Sequence, residues 1–223
     1  MTEALRCCIC SQILGDSSND LIAQILVQEP YVRRVPFETA LFAVIPSLGP
    51  LVPGHVLLCP KYHYRSFSGL PNEFEHQLNG LKRRLTQLLL DLYKLPVHYF
   101  EHGMARDGDH VLCTVEHAHL HAVPASVEVW DRLQSQAIWE VIGLSLNDLK
   151  CAVGNDEYLY YESPNGAAHV MRVEAGRFES QYLRRVFADA LQCSDKWNWR
   201  EFPSALTTHE TFELLRDASR ADP

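Results

Sequence analysis

Residues 117–124 carry the most informative pattern of the chain and read His117-Ala118-His119-Leu120-His121-Ala122-Val123-Pro124. The chain has 11 histidines in all, so three at alternate positions depart strongly from an even spread. Alternate residues of a β-strand share one face, and we therefore predict a strand over residues 114–123 with the three imidazoles on one side. A row of histidines on the surface or in the core is the alternative.

Distance along such a strand separates the roles of the three histidines. At ~3.3 Å per residue, His117 and His121 would lie ~13 Å apart at Cα, whereas the ligands of one zinc each lie about 2.0–2.1 Å from it. A division of labour is favoured, in which one end binds metal or supports the structure, His119 reacts, and the other end contacts substrate. A metallohydrolase with the histidines around a catalytic metal stays open.

The surrounding segments predict an α+β fold. Residues 73–94 have leucines at helical spacing and charge on the opposite face, which predicts an amphipathic helix covering a sheet. Short apolar segments predict strands at 21–27, 40–45, 55–59, 97–100 and 114–123. Strands, a covering helix and further strands together indicate a layered α+β architecture.

The pattern changes after Pro124. Helices are predicted at 127–135, 138–150, 179–191 and near 210–218, with a hairpin at 158–162 and 169–173 around the Asn165-Gly166 turn. We therefore divide the chain into a first domain, 1–125, and an α/β extension, 126–223, packed on it.

Composition excludes several classes of partner. The net charge is −8 without a Lys/Arg-rich run, so the footprint for duplex nucleic acid is missing, while a small phosphorylated ligand stays possible. No apolar run approaches ~18 residues, which argues against a membrane span. Seven unevenly spaced cysteines indicate reduced thiols, and we expect a cytoplasmic protein.

Three motifs resemble the histidine-triad (HIT) family of nucleotide hydrolases and transferases. Residues 117–123 match its triad motif, residues 51–60 resemble its strand-turn-strand leading to the nucleotide pocket, and residues 100–103 are similar to a strand of its larger bacterial and splicing-factor-like members. They occur in the family's order. The resemblance covers roughly residues 7–125 and implies a HIT-like antiparallel sheet with a covering helix.

The resemblance also implies the chemistry. His119 corresponds to the nucleophile that attacks the α-phosphorus and forms a nucleotidyl-histidine. His121 corresponds to the histidine that contacts the phosphate and helps to protonate the leaving group. Hydrolysis is favoured because the nucleotidylyltransferase branch has Gln at this position. For His55 a packing or supporting role is favoured over direct catalysis.

Several further residues are candidates for substrate binding. Thr114 lies where relatives have a phosphate-binding Ser, although a Thr also suits a strand. Ser47 replaces an Asp or Asn at the ribose, and one hydroxyl cannot accept from both ribose hydroxyls. Glu101 and His102 border the loop before the triad, where a solvated strand end is equally compatible. Arg184 or Arg185 could bind a phosphate through its guanidinium, with a solvated or dimer-facing patch as the alternative.

A structural zinc is implied by the zinc-containing members of the family. Cys7-x-x-Cys10 can give two thiolates, and His63 and His117 complete a closed Cys₂His₂ site. Cys8 could take the place of Cys7. Redox-inert cysteines near a chain end are the alternative.

These observations predict a nucleotide phosphohydrolase or nucleotidyltransferase acting on a phosphoanhydride, phosphoramidate or related nucleotide conjugate. A non-catalytic nucleotide-binding or scaffold protein of the same fold is the rival. The family's dimers imply a homodimer formed through the central helix and an edge strand. The leucines of residues 73–94 form an apolar face wider than one narrow stripe, which is consistent with a dimer interface on this helix. Alternatively, the extension could cover the additional apolar surface within the same chain.

Overall fold

One antiparallel sheet runs through the protein in the computed structural model, which describes residues 7–26, 32–104, 115–174 and 177–221. Within these ranges the sheet has eight strands in the order β1-β2-β3-β5-β4-β7-β8-β6. The strands are β1 (Phe37–Glu38), β2 (Phe42–Pro46), β3 (Val56–Pro60), β4 (Val97–Gly103), β5 (Leu120–Pro124), β6 (Glu140–Ile142), β7 (Tyr158–Glu162) and β8 (Ala168–Arg172).

Helices cover both faces of this sheet, which confirms the predicted α+β fold. They are α1 (Cys8–Leu14), α2 (Leu21–Leu26), α3 (Glu75–Tyr93), α4 (Trp130–Gln136), α5 (Leu146–Val153), α6 (Tyr182–Ala190) and α7 (Ala205–Ala221). None of these helices has both the length and the apolar character that crossing a bilayer requires.

The first face of the sheet is buried by α3, α5 and α7. The buried leucines of α3 recur three and four residues apart and form one stripe: Leu78, Leu81, Leu85, Leu88 and Leu89. They share a core with Val44, Tyr99 and Leu120 of the sheet. Burying one such side chain stabilises the fold by about 1.5–3 kcal/mol, so this stripe fixes α3 on the sheet.

The second face is covered at one end by α1 and at the other by α4 and α6. Ile9 and Ile13 of α1 pack on Ala43 and Ile45, while Phe187 of α6 belongs to a separate core that reaches the middle of the sheet. The two helical covers leave a gap on this face, and His119 and His121 line it.

The extension continues the sheet of the first domain. β7 pairs with β4 in a register that runs from Tyr99 opposite Glu162 to Gly103 opposite Tyr158. The other edge of β4 pairs with β5. The sheet is therefore unbroken across residue 125, and the division at that point stays a prediction.

Two of the predicted elements are wrong. The strand expected at 21–27 is the helix α2, because the Asp20 carboxylate accepts the backbone N–H groups of Ile22 and Ala23 and caps its first turn. The helix expected at 138–150 is divided into β6 and α5. Ser145 begins α5 with a capping box to Asp148, while the residues before it pair with β8.

The strand expected at 114–123 is shorter than predicted. β5 begins at Leu120, so His117 and His119 lie in the segment that leads into it. Residues 115–119 do not pair with a neighbouring strand as β5 does. The Ala118 N–H donates instead to the Tyr64 carbonyl at 2.6 Å. Of the three histidines, only His121 occupies a strand.

Candidate active site

His119 and His121 of the triad line a pocket on the second face of the sheet. Its floor is formed by β2, β3, β4 and β5, and its walls by α1 and α2 on one side and by α6 and Trp199 on the other. The pocket encloses about 870 Å³ of unfilled space, solvent at its mouth included. Both parts of the chain therefore contribute to one cavity.

His119 is held as a neutral imidazole with a defined tautomer. Its Nδ1–H donates to the His117 carbonyl at 2.6 Å, which leaves the lone pair on Nε2. Burial lowers the pKa of His119 to about 4, against a smaller opposing effect of that hydrogen bond. The ring is partly accessible from the pocket. Nε2 is therefore a nucleophilic nitrogen near neutral pH.

His121 is held in the complementary tautomer by a second histidine. The Leu51 N–H donates to His55 Nδ1 at 3.1 Å, so the proton of His55 lies on Nε2. This Nε2–H donates to His121 Nδ1 at 2.9 Å. The remaining proton of His121 is then on Nε2, which makes it a hydrogen-bond donor beside the His119 ring, 5.0 Å away between centroids.

Burial and packing keep this pair uncharged. His55 is fully buried and His121 nearly so, and burial lowers the pKa of each well below its usual value. The His121 ring also stacks on Phe100, with centroids 4.4 Å apart. A chain of backbone, His55 and His121 thus orients one proton toward the pocket.

A second cluster of side chains lies next to His119 in the chain. The ligand-type atoms of Cys7, Cys10, His63 and His117 all lie within 4.8 Å of one another. Cys10 Sγ is 3.4 Å from His63 Nδ1 and 3.3 Å from His117 Nδ1, and Cys7 Sγ is 3.5 Å from His117 Nδ1. Edges of roughly 3.3–3.8 Å are those of a tetrahedron built on Zn–S and Zn–N bonds.

The surroundings of the cluster prepare it for a metal. His117 Nε2–H donates to the Pro60 carbonyl at 2.9 Å, which turns the Nδ1 lone pair toward the sulfurs. The hydrogen bond between the two thiols, aided by His117, lowers the pKa of Cys7 well below its usual value, and the same hydrogen bond raises the pKa of Cys10. Cys8 is not part of the cluster; it lines the pocket instead.

Ser47 and Arg184, two of the predicted substrate-binding residues, both line the pocket. The guanidinium of Arg184 is buried and donates through Nε and Nη2 to the carbonyls of Trp197 and Gly49. Burial lowers its pKa to about 10, so it stays charged at neutral pH. Arg184 is thus a fixed charge rather than a mobile phosphate clamp.

The structure does not bring Glu101 to the pocket. Side chains alternate along β4, so Phe100 and His102 face the pocket whereas Glu101 points to the other face. There Glu101 accepts from the Phe67 N–H and the Tyr158 hydroxyl, and its burial raises its pKa to about 8. Glu101 is therefore not among the residues that line this pocket. Thr114 lies outside the described residues.

Three other residues that line the pocket were not assigned to the predicted site. His102, which borders the same loop as Glu101 in the sequence, lines the pocket and lies 2.7 Å from Glu157. Strand alternation from Phe100 is the signal that favours His102 over Glu101. Gln181 and Trp199 come from the extension. A Cβ on Gly49 would lie 2.5 Å from Cα of Trp199, so this contact depends on a glycine far away in the chain.

Comparison with known proteins supports the resemblance to the HIT family. Residues 33–127 match the HIT domain family, a range that contains the whole triad. The match covers less than half of the chain. Among curated relatives, it is 28% identical over 76% of its length to "Zinc finger CCCH domain-containing protein 59" of Oryza sativa, and 31% identical over 40% of its length to a bis(5'-adenosyl)-triphosphatase of Dictyostelium discoideum. It spans 28% and 57% of the length of these two proteins.

Solved structures of HIT proteins have a lower sequence identity to this chain than the two curated relatives have. A Zn-bound histidine triad family protein from Mycobacterium smegmatis is 21% identical, over 55% of this chain and 77% of that chain, with a TM-score of 0.39. A hypothetical histidine triad nucleotide-binding protein from Sulfolobus tokodaii is 13% identical, over 84% of each chain, with a TM-score of 0.42. Similarities of this size carry no inference about ligand or activity.

Proposed function

We propose that this protein is a nucleotide phosphohydrolase that works through a covalent nucleotidyl-His119 intermediate. The observation that carries the proposal is the pairing of two opposite tautomers in one pocket. His119 has its lone pair on Nε2, and His121 has its proton on Nε2. A nucleophile and a donor set side by side are the elements that phosphoryl-type displacement requires.

The reaction follows from these two nitrogens. Nε2 of His119 forms a bond to the α-phosphorus while the bond from phosphorus to the leaving oxygen breaks, and the leaving phosphate departs with the electron pair. His121 Nε2–H donates a hydrogen bond to oxygen at the reacting phosphorus. The positive charge formed on the His119 ring is stabilised by its Nδ1–H bond to the His117 carbonyl. Water then displaces His119 from phosphorus and releases a nucleoside monophosphate.

The charge of the pocket favours an anionic ligand. Within the described part of the chain, the hydrogen-bond partners of Arg184 are backbone carbonyls, so no carboxylate neutralises its buried charge. The same charge contributes to the lowered pKa values of His55, His119 and His121. A bound phosphate would compensate it, which supports a phosphorylated substrate.

The Cys7, Cys10, His63 and His117 cluster suits a structural zinc. Four protein ligands close a tetrahedral site and leave no position for a substrate. When bound, zinc supplies folding energy by joining α1 to the segment before β5. His119 and His121 are not in this cluster, so the geometry gives no support to a catalytic metal held by the triad. Thiolate ligands also fit the reducing, cytoplasmic location that we expect.

Diadenosine triphosphate is the first substrate to test, because one relative is a bis(5'-adenosyl)-triphosphatase. We expect the full chain, loaded with zinc, to convert it to AMP and ADP, as measured by anion-exchange chromatography. Adenosine phosphoramidate and a sugar nucleotide complete the panel. Binding of these compounds without any product would favour the rival reading, a nucleotide-binding protein without catalysis.

His55 is expected to act as a positioning residue. Changing His55→Leu removes the donor to His121 Nδ1 and frees the His121 tautomer, so we expect kcat to fall roughly 10- to 100-fold, as for other residues that orient a reacting group. His55→Gln retains an N–H near the position of Nε2 and is expected to recover much of this loss. Equal kcat values for the two variants would show that His55 only fills space.

The assembly is expected to be monomeric. The dimer predicted from the sequence uses the central helix and an edge strand, whereas β4, which follows that helix, is an inner strand paired with β5 and β7. Helix α7 also contacts α3 and covers part of its surface. Light scattering at micromolar concentration is expected to give a mass near 25.4 kDa. A mass near twice this value would show that two copies associate through another surface.

A further inference from the structure

Gln181 has a backbone conformation that its residue type rarely adopts. It precedes α6 with φ 59° and ψ 33°, in the left-handed region. A residue other than glycine is strained there, and such strain concentrates at functional sites. Its side chain makes no capping hydrogen bond to the helix, so helix capping does not account for it.

The side-chain carbonyl oxygen of Gln181, Oε1, also lacks a partner. Gln181 lines the same pocket as His119 and His121. Its Oε1 atom is buried and accepts no hydrogen bond from any described group. A buried acceptor without a donor is unfavourable, and this one lies where a ligand could supply the donor.

The position of Gln181 is fixed by its neighbours on α6. The Tyr182 hydroxyl donates to the Gln136 side chain at 2.9 Å. Arg184, one turn further, donates to the Gly49 carbonyl at 2.7 Å and so joins α6 to the loop that carries Ser47. Gln181 is therefore presented to the pocket by a rigid element of the extension.

The positions of hydrogen-bond donors on a nucleotide determine which part of it the Gln181 Oε1 atom can contact. The oxygens of an ionised phosphate are acceptors and cannot donate to Oε1. Arg184 and the Nε2–H of His121 already supply positive charge and a donor for the phosphate. The donors of a nucleotide are the ribose hydroxyls and the amino groups of the base, so the acceptor on Gln181 fits the nucleoside.

We propose that Gln181 is a specificity-determining residue that accepts a hydrogen bond from the nucleoside of the bound nucleotide, either from a ribose hydroxyl or from a base amino group. The proposal rests on the proposed function in one respect, that this pocket binds nucleotides. It assigns part of nucleoside recognition to the extension rather than to the HIT domain.

The test measures binding of nucleotides to the zinc-loaded full chain by isothermal titration calorimetry. The probes are AMP, 2′,3′-dideoxy-AMP, which lacks both ribose hydroxyls, and purine riboside 5′-monophosphate, which lacks the base amino group. We expect wild type to lose roughly 5- to 10-fold in affinity for one of the two analogues, the size of one neutral hydrogen bond. Gln181→Gly is expected to bind AMP and that analogue equally, and its glycine relieves the left-handed strain.

Gln192→Gly is the matched control. Gln192 also has φ 59° but is exposed and does not line the pocket, so its replacement relieves the same kind of strain without removing a pocket side chain. The Gln192→Gly variant should leave the affinities for AMP and for both analogues unchanged. The inference is overturned if wild type does not bind AMP, or if Gln181→Gly retains the wild-type affinity for AMP and the wild-type discrimination between probes. These readings need no turnover, so an inactive chain that binds AMP would refute catalysis and leave this inference standing.

Discussion

Replacing His119 by alanine is expected to lower kcat/KM on diadenosine triphosphate by at least about 10³-fold, as for the loss of other covalent nucleophiles. The reason is that no other described group of the pocket offers a neutral imidazole nitrogen with its tautomer fixed by a backbone carbonyl at 2.6 Å. The His119 side chain is not part of the Cys/His cluster. The variant should therefore keep its zinc and its circular dichroism spectrum.

His169→Ala controls for the loss of a buried histidine outside the pocket. His169 belongs to β8 and packs on Trp130, away from the pocket. The His169→Ala variant is expected to retain the wild-type kcat within a factor of about two. If His119→Ala kept more than a few per cent of wild-type activity on a good substrate, the covalent mechanism would be wrong.

The second large effect is expected from the Cys/His cluster. Cys10→Ser should release the zinc and unfold the region around α1, because Cys10 Sγ approaches both His63 and His117. Binding of a structural zinc is largely folding energy, with apparent values of about 10–16 kcal/mol in small zinc domains. We expect loss of stoichiometric zinc by elemental analysis together with a clear drop in Tm. His63→Ala should behave in the same way.

Cys8→Ser is the matched control for this prediction. Cys8 is adjacent in sequence to Cys7 but lies outside the cluster. The Cys8→Ser variant should keep one zinc per chain and the Tm of wild type. A full zinc complement in Cys10→Ser and His63→Ala would rule out this ligand set, and zinc loss in Cys8→Ser would mean that Cys8 takes part in the ligand set.

Local patterns in the sequence were sufficient for much of the fold and the site. The leucine spacing of α3, the Asn165-Gly166 hairpin and the spacing of Cys7 and Cys10 each reflect interactions between residues close in sequence, which is where such patterns are most reliable. The clustering of these cysteines with His63 and His117 agrees with the ligand set implied by the family resemblance.

Features set by distant contacts could not be predicted in this way. Residues 21–26 are a short apolar run that suits a strand or a helix, and the Asp20 cap decides between them. The pairing of β7 with β4 joins residues about 60 positions apart, and no local signal specifies it. The face taken by Glu101 depends on the register of β4, since a shift of one residue exchanges the two faces.

The extension adds to both the sheet and the pocket of the first domain. β7 pairs with β4, and α6 brings Arg184 and Gln181 into the pocket wall. Trp199 packs on Gly49 at the same wall. We therefore expect the nucleotide pocket to depend on both parts of the chain.

The central claim is the nucleotidyl-His119 intermediate, and intact-protein mass spectrometry of an acid-free quench tests it most directly. Wild type mixed with excess diadenosine triphosphate and denatured within one turnover should show a mass increase of one adenylyl group, located on the peptide that contains His119. His119→Ala should show none, and His169→Ala should show the same increase as wild type. Steady product formation by wild type without an adduct at any quench time would contradict the account, because water would then attack the phosphorus directly.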